Sequence, residues 1–308
     1  MVNRRGQLIL IGAVLLATVI FGLSFLLNSM LYAGATATGS TTAAVGEADQ
    51  IGFEVQRGVR PLVIRVNHAA RNITASGLAT AVNSNVTRFS KLYGESKAAA
   101  GSTAVAVAYD NATSEFGTRI VQVQDAEFLD PSGDLDWKPV DDSAAVGWFT
   151  VNVDLENSTV NPAVFNVSNS SNQIDYTLER NGTNVTVTSD PDWTGPVSTE
   201  CGETGGRVLL DMFAGTAYTS DCAFNGTGRL SGMVEEIRID HGDRIEGRFS
   251  IVANRSATPV GHCTTGTPVT DPCRVPAVWT ANLSVSVTGQ QVRYDNAFNL
   301  SVYPGAGS

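Results

Sequence analysis

The chain has 308 residues, 30 acidic against 20 basic, for a formal net charge of −10. Arg4 and Arg5 precede the first acid, Glu47, so the remainder holds 30 acidic against 18 basic side chains and carries −12. A surface of that sign excludes a generic nucleic-acid binder, which needs cations to displace the counterions condensed on phosphates.

The N-terminus opens with Arg4-Arg5-Gly6-Gln7, and Leu8 to Leu31 then runs 24 residues without a charge. As a helix this segment would span about 36 Å, enough to cross a ~30 Å hydrocarbon core with some tilt. Arginines on the short side and none beyond orient it with the N-terminus cytoplasmic and the bulk extracellular. It is too long for a secretory signal core, although Ala35-Thr36-Ala37 offers an A-x-A-like cleavage site before Thr38. An uncleaved anchor is the plain alternative.

Residues 32–46 are mostly Gly, Ala, Ser and Thr and read as a linker or a frayed extension of the anchor. Two amphipathic helices are expected next. Leu62, Val66, Ala69 and Ile73 would form the apolar face of the first, with Pro61 in its first turn. Leu78, Val82, Val86, Phe89 and Tyr93 would form that of the second.

Beyond Thr103 the apolar period changes to two. Strand signals cover Ala104–Tyr109, Arg119–Gln124 and Trp148–Leu155. Ile174, Tyr176 and Leu178 alternate up to an Asn181-Gly182 turn that would pair Leu178 with Val185 and Tyr176 with Val187. Trp279, Ala281, Leu283, Val285 and Val287 lead to a turn at Gly289-Gln290 that would pair Val287 with Val292 and Val285 with Tyr294. Ile239 and Ile245 would flank a His241-Gly242-Asp243 turn in the same manner. The expected class is α+β: an N-terminal transmembrane helix, a helical base, then an antiparallel, sandwich-like extracellular β domain. The boundaries are 1–6 for a cytoplasmic leader, 7–32 for the transmembrane helix, 33–102 for linker and amphipathic helices, and 103–308 for the β domain.

Twelve N-x-S/T sequons lie beyond the apolar segment, at Asn72, Asn85, Asn111, Asn157, Asn166, Asn169, Asn181, Asn184, Asn225, Asn254, Asn282 and Asn299. Chance placement would yield only about 3 or 4, so a surface exposed to glycosylation machinery is expected. Asn184, Asn282 and Asn299 fall on polar faces of their strands. Cys201, Cys222, Cys263 and Cys273 lie on the same side, and an even count in an exported domain implies two disulfides. Three pairings are possible; the local ones, Cys201–Cys222 and Cys263–Cys273, are favoured, the first being worth about 3 kcal/mol in the chain-entropy model. Zinc, with His262 beside Cys263, is the rival, but no C-x₂-C spacing supports it.

Chemistry is otherwise sparse. No nucleophile elbow, phosphate loop or H-E-x-x-H occurs, the three His at 68, 241 and 262 are isolated, and no cofactor or enzymatic activity is expected. Glu235 and Glu236, adjacent on an expected strand, would face opposite ways and make a poor carboxylate pair. Seven acids and Lys138 alone occupy Asp125 to Asp142. Asp130, Asp134 and Asp136 there offer a weak calcium candidate, although a solvated acidic loop is the more ordinary reading.

Arg-Gly-Gln before an apolar helix resembles an archaeal prepilin signal, in which a peptidase cuts after the glycine and leaves Gln7 as the new N-terminus. Many archaeal pilins carry Glu at the fifth mature position, where this chain has Ile11. Seventeen Arg against three Lys, in an acidic chain, fits a salt-rich habitat. The Arg-Gly-Gln start, the Asn28-Ser29-Met30-Leu31-Tyr32 helix exit and the helix-then-β order are similar to an uncharacterised haloarchaeal family of single-pass, pilin-like surface proteins. That resemblance implies export, an N-terminal anchor and pilus-like or surface-layer partners, with processing at Arg5, Gly6 and Gln7. The function expected is a structural or adhesive surface protein; the alternative is a monomeric, anchored or secreted ligand-binding protein of the envelope.

Overall fold

The computed structural model describes residues 46, 48–71, 73–100, 103–141, 145–230, 234–255, 260–263, 271–289 and 293–303. The Leu8–Leu31 segment, the processing site and the Asn72 sequon therefore lie outside the described residues. Among those described, no helix is long and apolar enough to cross a membrane.

Two helices come first, α1 over 48–69 and α2 over Ala75–Ala100. Helix α1 starts well upstream of the expected first helix, and its buried face is Ile51, Val55, Val59 and Val63. The expected stripe is thus offset: Leu62 and Val66 are only half-buried, Ala69 is exposed, and Ile73 lies in the connection. Pro61 sits inside α1, not in its first turn, on the exposed face where water can serve the carbonyl that its missing N–H leaves free. Helix α2 begins at a true cap, the Thr74 hydroxyl accepting from Gly77 N at 3.2 Å. Its apolar face, Leu78, Val82 and Val86 with Phe89 and Tyr93 beside them, is as expected. The helices run antiparallel. Near the start of α1, Glu54 accepts a 2.6 Å hydrogen bond from the Tyr93 hydroxyl and pairs with Lys97 at 2.7 Å, both near the end of α2.

Fourteen strands follow among the described residues: β1 (Ala104–Val121), β2 (Ala126–Glu127), β3 (Trp137–Val140), β4 (Val146–Asp154), β5 (Ala163–Ser168), β6 (Gln173–Asn181), β7 (Asn184–Pro191), β8 (Val197–Gly202), β9 (Arg207–Asp211), β10 (Thr216–Ala217), β11 (Glu236–Asp240), β12 (Glu246–Ala253), β13 (Cys273–Thr288) and β14 (Arg293–Ser301). They form two sheets with antiparallel pairing throughout. The larger has the order β10-β9-β4-β12-β1-β13-β14, with β2 also on β12; the smaller has the order β3-β11-β5-β6-β7-β8.

The larger sheet is the middle of three layers. Phe149 of β4 and Phe249 and Ile251 of β12 join Phe165, Ile174 and Val187 of the smaller sheet in one core. The alternate residues Trp148 and Val252 turn the other way and join a second core with α1, α2 and the inward faces of β1, β13 and β14. The period of two thus divides one sheet between two cores. The fold is a β-rich α+β arrangement with a sandwich-like pair of sheets.

Several expected registers differ. Ala104–Tyr109 and Arg119–Gln124 do not form separate strands; all but the last three residues belong to β1, which is continuous and bent where its pairing with β13 shifts between Asp110 and Phe116. In the β6–β7 hairpin Leu178 faces Val187 and Asn181 faces Asn184, so the turn is Gly182-Thr183, not Asn181-Gly182. Gly182 takes φ +62° there, a value glycine adopts without penalty. In β13–β14 Val287 faces Tyr294 and Val285 faces Asn296, with the connection lengthened to 289–292. Both slips are of two residues, which leaves every side chain on its expected face. The His241 turn joins no hairpin: β11 belongs to the smaller sheet and β12 to the larger, so the chain changes layers there. Glu235 lies just outside β11, while Glu236 pairs with Lys138 at 2.6 Å.

Candidate functional site

Four of the sequence-derived site residues meet as two disulfides, Cys201–Cys222 with Cα atoms 5.4 Å apart and Cys263–Cys273 at 4.9 Å. The first ties β8 to the loop after β10, and the second clamps the start of β13. With both thiols of the second pair joined, the zinc alternative at His262 has no thiolate to use.

The calcium candidate does not assemble. Asp130 is occupied within its own turn, its carboxylate accepting from Ser132 N, Ser132 Oγ and Asp134 N. Asp136 instead accepts from His241 N at 2.8 Å, across the layer change. Among the described residues no group of three or more His, Cys, Asp or Glu could hold a metal ion. The surrounding acids are partly matched by arginine: Asp125 bridges Arg207 and Arg248, each at 2.8 Å.

The sequons divide by burial. Asn85, Asn111, Asn157, Asn181 and Asn299 are exposed, and Asn166, Asn169, Asn184, Asn254 and Asn282 are half-buried. Asn225 stands apart, being only 6% exposed, with its Oδ1 accepting from Arg229 and its Nδ2 buried. A folded chain offers that amide to no enzyme, because the segment lies under the buried Ser189 hydroxyl, which accepts from Asn225 N. Asn282 and Asn299 face each other across β13 and β14, Asn282 Nδ2 donating to Asn299 Oδ1 at 2.8 Å. Asn181 and Asn184, at either side of their turn, both donate to Glu200.

The densest polar chemistry was not singled out from the sequence and lies where α1 ends on the larger sheet. Arg119 of β1 is 7% exposed, yet among the described residues no carboxylate pairs with it. Its Nη1 donates to the carbonyls of Asn67, His68 and Ala70, and its Nε donates to Ser250 Oγ at 3.0 Å. A helix C-terminus carries orphan carbonyls and partial negative charge, so a buried guanidinium is well matched to it. Burial lowers the Arg119 pKa to about 10, with nearby Arg71 pushing the same way and Tyr303 opposing.

Asn67, fully buried, acts one residue earlier. Its Nδ2 donates to the Val278 carbonyl and to the Tyr303 hydroxyl, and its Oδ1 accepts from Val278 N. Strand β14 has ended at this level of β13, and the amide side chain occupies the place of a pairing backbone. His68 packs on Trp148 with ring centroids 4.6 Å apart and planes tilted by 57°, and burial lowers its pKa to about 4, with Arg119 adding to the effect. Two cavities flank this junction. One of about 430 Å³ is lined by Ile64, Trp148, Phe213 and Tyr303 with Asp211 and Arg229. A smaller one of about 150 Å³ is lined by Arg71, Arg119, Arg248, Thr150, Asn152 and Ser250 among others.

Residues 2–128, less than half of the chain, match the model of a family of unknown function, DUF7261. No curated protein and no solved structure matches the chain.

Proposed function

We infer that this is a membrane-anchored, N-glycosylated protein of the outer cell surface, structural or adhesive in role, with a pilin-like N-terminus. Its anchor would be Leu8–Leu31, with Arg4 and Arg5 on the cytoplasmic side. The observation that carries the reading is one of placement: both disulfides and every sequon lie C-terminal to the single long uncharged segment. Disulfides persist in oxidising compartments, and glycosylation machinery of this kind acts on exported chains. The resemblance of Arg5-Gly6-Gln7 to a haloarchaeal prepilin site adds the pilin-like element, with other copies or surface-layer proteins as partners through the apolar helix.

Mass spectrometry of the N-terminal peptide, on protein isolated from cell envelopes, tests the reading. A mature chain starting at Gln7 is expected, with the apolar helix retained and hexose-bearing peptides at exposed sequons such as Asn111 and Asn157. A start at Met1 or at Thr38 would remove the pilin-like part. Recovery of the chain with free thiols and unmodified sequons would overturn surface placement altogether.

A further inference from the structure

We propose that the small cavity at the end of α1 is a binding site for a free tetrahedral oxyanion of the sulfate or phosphate type. Its wall brings three guanidinium groups from three separate parts of the chain: Arg71 from the α1–α2 connection, Arg119 from β1 and Arg248 from β12. Such convergence is notable in a chain of net charge −10. Arg248 already has a partner in Asp125. Among the described residues the other two have no counter-charge. Arg119 uses Nε and Nη1 on Ser250 and on backbone carbonyls, and its Nη2 makes no hydrogen bond among the described residues. Arg71 makes neither a hydrogen bond nor an ion pair among them. Two neighbouring cations, one nine-tenths buried, repel each other until an anion sits between them.

The cavity has the right size and lining. Liquid water occupies about 30 Å³ per molecule, so about 150 Å³ accommodates an oxyanion with two or three waters. Those waters have a use, because Asn152 and Gln122 line the cavity, and Asn152 Oδ1 and Gln122 Oε1 are buried without a hydrogen-bond partner among the described residues. Guanidinium groups approaching from different elements serve several oxygens at once, which favours an oxyanion over a halide.

Equilibrium dialysis of the full chain in detergent against radiolabelled sulfate, at ionic strength held constant with sodium chloride, tests the site. Saturable uptake of one sulfate per chain is expected, displaced by unlabelled phosphate. Arg71→Gln should weaken it about tenfold or more, since one charge-assisted contact is lost. Arg71 is exposed and bonds to nothing among the described residues, so the sulfate-free unfolding midpoint of the variant should not move. Arg293→Gln, which removes an exposed arginine paired with Asp295 and absent from the cavity wall, should bind as the parent does. Absence of saturable uptake in the parent chain, or equal uptake by Arg71→Gln, would overturn the proposal. Displacement by chloride as effective as by phosphate would overturn the oxyanion class. None of these results depends on where the chain is located in the cell.

Discussion

His68 is held with its ring against Trp148 and with the buried Arg119 guanidinium donating to its own carbonyl. Both surroundings oppose a second positive charge, which is why its pKa falls from the ordinary 6.5 to about 4. Between those values the unfolded chain binds more protons than the folded one. Stability is therefore fully supported above pH 6.5 and falls as pH drops towards 4, by up to about 1.4 kcal/mol per pH unit for this group. Glu54 acts in a different window. Hydrogen bonds from Lys97 and Tyr93 lower it to about 2, so its contribution is lost only as pH falls from 4.5 towards 2. Urea unfolding of the parent and of His68→Gln across pH should diverge in slope between 6.5 and 4 and run parallel below. Parallel curves throughout would show that His68 is not held neutral by the fold.

Among the elements, α2 and β1 approach more closely than side chains normally allow. A Cβ added at Gly94 would lie 2.7 Å from the Val105 carbonyl oxygen, which the strand holds in place. Replacing glycine by alanine inside a helix usually stabilises by about 1 kcal/mol, while forcing an extra methyl into a packed contact costs about 1–3 kcal/mol. The clash is with backbone, so the second effect wins, and Gly94→Ala should lower stability by about 1 kcal/mol. Gly52→Ala on α1, where a Cβ meets nothing within 4 Å, should instead raise it. Urea midpoints moving in the same direction for both variants would contradict the close approach. Alternation in the sequence locates the β6–β7 and β13–β14 hairpins and assigns their faces correctly. It is blind to a slip of two residues, because the pleat repeats every two, and the choice between Asn181-Gly182 and Gly182-Thr183 rests on turn geometry alone. Pro61 misleads for the opposite reason: a start signal is taken from one residue while the stripe Ile51, Val55, Val59 and Val63 continues through it. The junction at Arg119 leaves almost no local trace. An arginine two residues from Val121, on the same face of a strand, is the only sign, and its partners lie about fifty residues earlier and over a hundred later.

For the whole molecule, the change of period near Thr103 suggests a boundary between a helical base and a β domain, but the cores are not divided there. Val105, Val107 and Tyr109 of β1 and Leu283, Val285 and Val287 of β13 are buried by α1 and α2, whereas Phe149, Phe249 and Phe165 are buried between the sheets. Removing the helices would uncover those six large side chains together with Leu300 and Trp279. At about 1.5–3 kcal/mol each, their exposure matches or exceeds the ~5–15 kcal/mol by which a domain is stable at all. It would also strip the three carbonyls from Arg119 and the amide from Val278. The inter-sheet core and the Cys201–Cys222 bridge involve no residue of the removed segment. The loss on the helix side is the larger, because β1, β4 and β12 serve both cores and cannot keep one intact while the other is wet. A chain beginning at Thr103 should therefore bind a hydrophobic dye, associate in solution and lose the cooperative urea transition of the parent. A monomer with a sharp transition would show that the sandwich stands alone and that α1 and α2 are an appendage placed on it.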